Sequence, residues 1–343
     1  MPASFSSRLL RWFDRHGRHD LPWQHPRTPY RVWLAEIMLQ QTQVATVIPY
    51  YRRFLKRFPT IAALALAPLD DVLAHWSGLG YYARARNLHR AAQVIVADHG
   101  GRFPRDFDAV AELPGIGRST AGAILAQAFG QRHAILDGNA RRVFARHAGV
   151  RGWPGDPAVA ANLWRAAESR LPRARLTDYT QALMDLGATL CTSRAPRCDE
   201  CPMRADCVAL SRNLVGKIPA HRPARARPRK SARLLLIENA RGEVLLERRP
   251  PRGIWGGLWC PPVVAGTTAI TAHDGIALMP LGALPAFRHS FTHYDFDLQP
   301  LRFAVREDGA LGSESAWVKL SRLPNLGLPA PVRTLLCPAP STA

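Results

Sequence analysis

The sequence lacks long apolar runs, a secretory signal and an even balance of charge. No stretch approaches the roughly 18 consecutive apolar residues that a membrane-spanning helix requires, so we expect a soluble protein. Arginine and aspartate side chains interrupt the first thirty residues, which excludes the apolar core of a signal peptide and predicts a cytoplasmic protein. The chain has 343 residues. Because one domain typically has about 150, we expect two domains.

Acidic residues are scarce. The chain carries 26 of them against 46 basic residues, a net charge of +20, which favours a polyanionic partner such as nucleic acid. Residues 1–233 hold +19 of this charge, so we expect the N-terminal two-thirds to contact phosphate. Lysine is also rare, with four residues. Arginine can pair with phosphate or stack on bases, although a genome rich in G and C produces the same bias.

The pattern of apolar residues changes at a linker. Residues 211–231 contain no acidic residue and include Pro219, Pro223 and Pro228, which is typical of a semi-extended tether. Residues 1–210 have helical spacing and predict an all-α domain. Residues 232–343 contain short alternating runs separated by glycine and proline, and predict a sheet-rich α+β domain.

Four of the six cysteines form a cluster, Cys191, Cys198, Cys201 and Cys207. Because cytosolic thiols stay reduced, metal binding is favoured over disulfide formation. Four thiolates suit either a zinc ion or an iron–sulfur cluster. One closely spaced cysteine pair flanked by two wider gaps favours an iron–sulfur cluster over a zinc ion.

A glycine-containing turn is predicted between two helices. The string Leu113-Pro114-Gly115-Ile116-Gly117-Arg118-Ser119-Thr120 precedes a helical run that begins at Ala121. The glycines allow backbone N–H groups to approach a phosphate, and the helix adds its positive N-terminal end. An ordinary turn between two helices is the alternative.

Two carboxylates are candidates for catalysis. Glu36 lies within an apolar helical stretch, where burial would raise its pKa and let it serve as a general acid. A position on the polar edge of the helix is the alternative. Asp137 follows Ile135 and Leu136 and precedes another helical run, where aspartate commonly caps the helix.

These motifs together resemble one enzyme family. The matching segments are WLAEIMLQQTQV from Trp33, GLGYYARARN from Gly78, LPGIGRSTAGAIL from Leu113, ILDGNARR from Ile135 and the spacing of the four cysteines. They closely resemble MutY-type adenine DNA glycosylases of the helix-hairpin-helix superfamily. The resemblance implies an all-α catalytic domain and a four-iron four-sulfur cluster held by the four cysteines. It also implies a monomer that binds double-stranded DNA in base excision repair, associated with the nucleoid.

The resemblance also implies residue roles. An adenine opposite 8-oxoguanine or guanine would be flipped into a pocket, protonated by Glu36 and released, while Asp137 faces the positive sugar and Asn139 supports the carboxylates. Contacts to DNA and to the lesion would come from Gln41, Thr42, Leu79, Tyr81, Gly115, Gly117 and Ser119. Related bifunctional enzymes have a lysine where this chain has Ser119, so the resemblance implies a monofunctional enzyme that leaves an abasic site.

Residues 232–343 resemble a MutT-like, or Nudix-like, domain, notably in RRPPRGIWGGLWCPP from Arg248. The sequence lacks the glutamate-rich helix that binds magnesium in Nudix hydrolases, so we expect lesion recognition and no magnesium. Phe291, Thr292 and His293 align with a Phe-Ser-His loop that reads 8-oxoguanine in the family, with threonine in place of serine.

Three other functions were weighed against this one. Ser119 and the extra domain argue against an endonuclease-III-like glycosylase and lyase. The presence of both Glu36 and Asp137 argues against a DNA-binding module without catalysis. The missing glutamate helix argues against hydrolysis of oxidised nucleoside triphosphates.

Overall fold

The computed structural model describes residues 4–223, 226–291 and 293–337. Contacts between Cα atoms divide the chain into two compact units. The first unit comprises Met1–Ala65 and Arg90–Ala224, and the second comprises Leu66–His89 and Arg225–Ala343.

Helices account for the regular structure before the linker. They are α1 (Phe5–His16), α2 (Pro29–Leu39), α3 (Val44–Arg57), α4 (Ile61–Leu66), α5 (Leu69–Trp76), α6 (Ala83–Asp98), α7 (Phe107–Glu112), α8 (Arg118–Phe129), α9 (Gly138–Ala148), α10 (Pro157–Glu168), α11 (Leu176–Thr189) and α12 (Val208–Ser211). Two short 3₁₀ turns, Cys198–Glu200 and Arg204–Asp206, lie between α11 and α12.

The first unit is organised around α8 and α11. Helix α8 packs against α2, α7 and α11, and α11 also packs against α1 and α9. Small residues dominate α8, and every position from Ala121 to Gln127 is buried, so neighbouring helices can surround it. Phe13, Phe144, Tyr179 and Leu186 belong to the core that these helices share. The predicted all-α class is confirmed for this unit.

The second unit contains a mixed sheet. The strands of this unit are β1 (Arg229–Glu238), β2 (Glu243–Arg248), β3 (Trp259–Cys260), β4 (Val263–Val264), β5 (Ala272–His273), β6 (Ile276–Ala277), β7 (Met279–Ala283), β8 (Phe287–Ser290), β9 (Asp295–Ala304) and β10 (Ser315–Lys319). Strands β5 and β6 pair with each other in a separate two-stranded sheet. A helix, α13 (Ala330–Leu336), follows them. The main order is β10-β2-β1-β9-β7, in which β1 and β9 are parallel and the other neighbours are antiparallel. The α+β expectation is therefore also confirmed.

Part of the helical sequence belongs to this second unit. Asp70 on α5 accepts two hydrogen bonds from the Arg248 guanidinium, at 2.9 and 2.6 Å. The Tyr82 hydroxyl donates to the backbone oxygen of Leu328 at 2.9 Å. The helical spacing predicts residues 66–89 inside the helical domain, whereas the structure groups them with the second unit. The boundaries at 210, 211–231 and 232 stay predictions.

No helix among the described residues is both long and apolar enough to cross a membrane.

Candidate active site

Glu36 lies on α2, whose neighbouring residues are almost all buried. Thr28 caps the helix by accepting from the Arg31 N–H, and Pro29 occupies its first turn. The Glu36 side chain keeps partial exposure, while both neighbours, Ala35 and Ile37, are buried. Burial of its carboxyl group and the nearby charge of Asp137 raise the pKa of Glu36 to about 8. Glu36 therefore holds a proton at neutral pH, as a general acid must.

Gln127 on α8 contacts this carboxyl group. Its side-chain N–H donates to Glu36 Oε1 at 2.7 Å, and this bond lowers the pKa of Glu36 against the larger effect of burial. The sequence analysis missed Gln127. Its only sequence signal is a polar residue among the apolar positions of a buried helix, which by itself suggests no function.

Asp137 caps the N-terminus of α9. Its Oδ1 accepts from the Ala140 N–H at 2.8 Å, so the structural role foreseen for an aspartate at this position is present. Burial raises the pKa of Asp137, while backbone hydrogen bonds from Ala140 and Asn139 and the charges of Arg142 and Arg141 oppose the rise. Asp137 can cap the helix and act near Glu36 at the same time, because the capping bond holds the Asp137 carboxyl group close to Glu36.

Asn139 is held in place by α11. Its Oδ1 accepts from Arg142 at 2.8 Å, and the same guanidinium nitrogen donates to the Gly187 oxygen at 2.6 Å. A Cβ on Gly187 would lie 2.6 Å from the Asn139 Cβ, so only glycine permits this approach. The structure thus adds Arg142 and Gly187 as supports of the Asp137 segment that the sequence analysis did not identify.

The glycine-containing turn joins α7 to α8, as predicted. Gly115 has a φ of 80°, and the Ile116 N–H donates to the Leu113 oxygen at 3.0 Å to close the turn. Gly117 begins α8 without a side-chain cap, so the first N–H groups of that helix face an exposed position. Such a helix end can bind an anionic group.

Ser119 lies in the first turn of α8 and contacts the segment that carries Asp137. Its hydroxyl oxygen accepts from the Leu136 N–H at 2.9 Å. The residue therefore fixes the backbone immediately before the catalytic candidate. Ser119 therefore has a structural role within the protein, separate from the role in DNA binding that the resemblance implies.

The two residues expected to enter the base stack, Gln41 and Tyr81, and the two expected near the lesion base, Thr42 and Leu79, are divided between the two units. In the first unit, Gln41 is exposed with a φ of 58° and Thr42 is half-buried. In the second unit, Tyr81 is 47% exposed with a φ of 49°, whereas Leu79 is buried.

The Tyr81 loop is fixed by Arg84. The buried guanidinium donates to the oxygens of Leu79 and Gly80 at 3.2 and 3.1 Å and lies over the rings of Trp76 and Tyr81. These contacts hold the loop in a conformation that projects the Tyr81 ring outward, with the backbone of Tyr81 in a strained region.

The four clustered cysteines surround one cavity. All four are partly buried and form no disulfide with one another, and they line this cavity together with Leu190, Arg146 and Val215. A single metal ion requires ligand atoms that lie close together. Among the described residues, these cysteines do not form a group whose ligand atoms all lie within 4.8 Å of one another. Arg146 lies 3.4 Å from Cys191 Sγ. The spacing and the donor set fit a multinuclear cluster better than one zinc ion.

The candidate lesion loop joins β8 to β9. The Phe291 N–H donates to the Tyr294 oxygen at 2.9 Å, and its ring is half-buried against His289 and Tyr294, with centroids 4.6 and 4.8 Å away. His293 is exposed, and Thr292 lies outside the described residues. Phe291 therefore contributes to the packing of this turn and remains partly exposed.

The glutamates of the second unit do not form a magnesium-binding helix. Glu238, Glu243 and Glu247 lie on β1 and β2, and the helix α13 contains no acidic residue. Oε1 of Glu247 lies 2.5 Å from Nε2 of His273. The described part of this unit thus offers no helix of the kind that supports Nudix hydrolysis.

Comparisons with known proteins agree with this architecture. Residues 34–169 match the model of the HhH-GPD superfamily base excision DNA repair protein, and residues 233–337 match the NUDIX domain. An adenine DNA glycosylase of Buchnera aphidicola from Acyrthosiphon pisum is 36% identical over 338 residues, covering 97% of this chain and 96% of that protein. The chain belongs to the adenine DNA glycosylase family. It is a glycosylase of DNA base excision repair, as the sequence analysis predicted.

Further relatives are consistent with this membership. The mouse adenine DNA glycosylase is 43% identical over 227 residues, covering 64% of this chain and 44% of that protein. A thermostable thymine-DNA glycosylase structure matches 61% of the chain at 30% identity and a TM-score of 0.55. An endonuclease III–DNA complex matches the same share at 22% identity and a TM-score of 0.53, and shows the shared fold.

Proposed function

We propose that this adenine DNA glycosylase removes adenine paired with 8-oxoguanine or guanine and leaves an abasic site without cutting the strand. The observation that carries the mechanism is the position of the Glu36 carboxyl, which accepts a hydrogen bond from buried Gln127 and lies near the charge of Asp137. Two neighbouring carboxyl groups, one that gives a proton to the base and one that faces the positive sugar, divide the work of glycosidic cleavage between them.

Glu36 acts as the acid. The adenine leaves the base stack, since its glycosidic bond is inaccessible inside the duplex. Glu36 transfers its proton to N7 of the base, the C1′–N9 bond breaks, and its electron pair stays on the departing adenine. The sugar develops positive charge at C1′. Glu36, now a carboxylate, then takes a proton from the water that adds to C1′.

Asp137 stabilises the positive sugar. The Ala140 N–H bond and the charges of Arg141 and Arg142 favour its carboxylate form and oppose the rise in pKa that burial causes. Asn139 keeps the start of α9 in position through Arg142. Ser119 has no amine and cannot form the Schiff base that strand cleavage requires, which supports the monofunctional assignment.

DNA is engaged by both units. The turn with Gly115 and Gly117 would hold a phosphate through backbone N–H groups, since this helix end is exposed and uncapped. Gln41 and Tyr81 would enter the base stack, and Thr42 and Leu79 would lie beside the lesion base. The positive φ values of Gln41 and Tyr81 and the exposure of their side chains support this role.

The loop of Phe291, Thr292 and His293 would read the 8-oxoguanine. The exposed face of Phe291 can stack on a base, and a threonine hydroxyl can donate to or accept from the lesion edge. No magnesium is required, because this unit recognises the lesion and hydrolyses nothing.

A four-iron four-sulfur cluster would be bound by Cys191, Cys198, Cys201 and Cys207. When bound, it would supply structural cross-links between the end of α11 and the start of α12. We propose that the protein acts as a monomer on double-stranded DNA at the nucleoid.

One experiment tests this function. Protein containing about four iron and four sulfide per chain is incubated in excess over duplexes with adenine opposite 8-oxoguanine, guanine or thymine. We expect free adenine from the first two duplexes, and strand breaks only after alkali. Breaks before alkali, or efficient trapping by borohydride, would contradict the monofunctional assignment. Release from the thymine duplex at an equal rate would contradict mispair recognition.

A further inference from the structure

Gln127 is a polar side chain inside an apolar helix. It is 3% exposed, and the two residues before it on α8, Leu125 and Ala126, are fully buried. Burying an amide costs free energy unless its polar atoms are bonded. Its nitrogen donates to Glu36 Oε1 at 2.7 Å, but its oxygen is buried without a partner among the described residues. A residue chosen only for stability would be apolar here.

The bond from Gln127 makes the two oxygens of Glu36 different. Within the described part of the chain, it is the single hydrogen bond of the Glu36 side chain. Oε1 accepts from an N–H and is therefore a poor place for the acidic proton, since a proton there would face a second donor. Oε2 is left for the proton and for the base that receives it.

We infer that Gln127 is a positioning residue of the glycosylase reaction, whose amide occupies Oε1 of Glu36 and directs the acidic proton to Oε2. The inference rests on the proposed role of Glu36 as the acid. The same N–H stabilises the carboxylate that forms when the proton moves to adenine, because hydrogen bonds to charged acceptors are stronger than those to neutral ones. Gln127 thus favours proton transfer at the moment it occurs.

The charged surroundings of Glu36 permit a clean test. From α9, Asp137 is the titratable group whose charge acts on Glu36 among the described residues, and its effect opposes ionisation. From α8, the neutral amide of Gln127 acts in the opposite direction. From α11, the uncharged Met184 lies near the same amide. Substituting Gln127 therefore removes one contribution to the pKa of Glu36 and leaves the charge of Asp137 in place.

The test compares two substitutions of the same kind. Gln127→Met removes the bond to Glu36 and keeps the length of the side chain. Gln181→Met is the control, because Gln181 is also 3% exposed and its amide donates at 2.8 Å to another carboxylate, that of Asp185 on the same helix. Single-turnover adenine release from the 8-oxoguanine duplex is measured between about pH 6 and 10.

We expect Gln127→Met to lower the plateau rate about tenfold and to move the alkaline limb up by about one pH unit. We expect Gln181→Met to lower the melting temperature and leave the alkaline limb where it is. An unmoved limb in Gln127→Met, with or without a slower plateau, would overturn the inference. If Gln127→Met does not fold, Gln127→Leu takes its place.

Failure of the underlying mechanism is recognised separately. Glu36→Gln should abolish release at every pH while keeping affinity for the mispair. If Glu36→Gln still releases adenine, the acid itself is misassigned. If Glu36→Gln is inactive and Gln127→Met has the wild-type profile, the assignment of the acid stands and the role of Gln127 is wrong.

Discussion

Glu36 illustrates at the residue scale how catalysis opposes stability. Its pKa of about 8 exceeds the usual value of 4.5, so the folded chain holds this proton over a pH range in which the unfolded chain has lost it. Unfolding then releases a proton, and stability falls as the pH rises from about 4.5 to 8. A group with this behaviour is retained for its chemistry.

Glu36→Gln should therefore stabilise the protein. The gain in melting temperature should be small near pH 4, should grow to a few degrees by about pH 8 and should remain constant above it, because the neutral amide has no proton to lose. Thermal unfolding followed by circular dichroism across this range measures the effect. Glu112→Gln, at an exposed glutamate on α7, provides the control. A gain that is equal at all pH values would show that ionisation of Glu36 is not its cause.

Glu36 could be selected from the sequence because it is charged among apolar residues, and Asp137 because it precedes a helix. A carboxylate within an apolar helix and an aspartate before a helical run are visible without a structure. Gln127 could not be selected. Its meaning depends on the contact with Glu36, which lies 91 positions away in the chain. Single-residue patterns carry no information about such a pairing.

At the scale of elements, α5 and β2 are joined by one ion pair. Arg248 binds Asp70 through two parallel hydrogen bonds and lies over the Trp259 ring, whose N–H also reaches Asp70 at 3.4 Å. Both charged side chains are about 30% exposed, so solvent screens the pair in part. The planar two-point geometry still favours this arrangement over an ordinary surface pair.

A double-mutant cycle should measure this coupling. Asp70→Asn and Arg248→Met are made singly and together, and the free energies of unfolding are compared in urea. We expect a coupling of about 1 kcal/mol, since the pair is geometrically good but partly exposed. Arg288 and Asp297, a more exposed pair between β8 and β9, supply a reference cycle with a smaller coupling. Because Arg288 also binds Asp297 at two points, equal couplings would mean that the lower exposure of the Asp70 pair adds nothing.

The elements themselves were largely predictable. Helical spacing predicted the all-α unit, and alternating runs after the linker predicted the sheet, because both patterns are local. The membership of Leu66–His89 in the second unit was not predictable, because its contacts are with residues such as Arg248 and Leu328 far along the chain. The approach of α11 to α9 at Gly187 was missed for the same reason.

At the scale of the whole molecule, positive charge is concentrated before and within the linker. The net charge is +20, and +19 of it precedes residue 234. A protein that neutralises several phosphates releases counterions on binding, so its affinity depends steeply on salt.

Affinity for duplex DNA should fall at least about tenfold between roughly 50 and 200 mM salt. Fluorescence anisotropy with Glu36→Gln, which should bind without releasing adenine, measures this dependence. A fully matched duplex should show a similar slope with weaker binding, because phosphate contacts do not depend on sequence. A slope near zero would indicate that the basic residues do not contact the backbone.

The grouping of Leu66–His89 with the second unit also bears on synthesis. During translation, Asp70 leaves the ribosome long before Arg248, and Tyr82 long before Leu328. Domains usually fold in the order of their synthesis, N-terminal first. Here a segment that arrives early finds its partners only near the end of the chain. The nascent protein must carry α5 incompletely packed until the last strands emerge, a period in which that helix is open to chaperones and proteases.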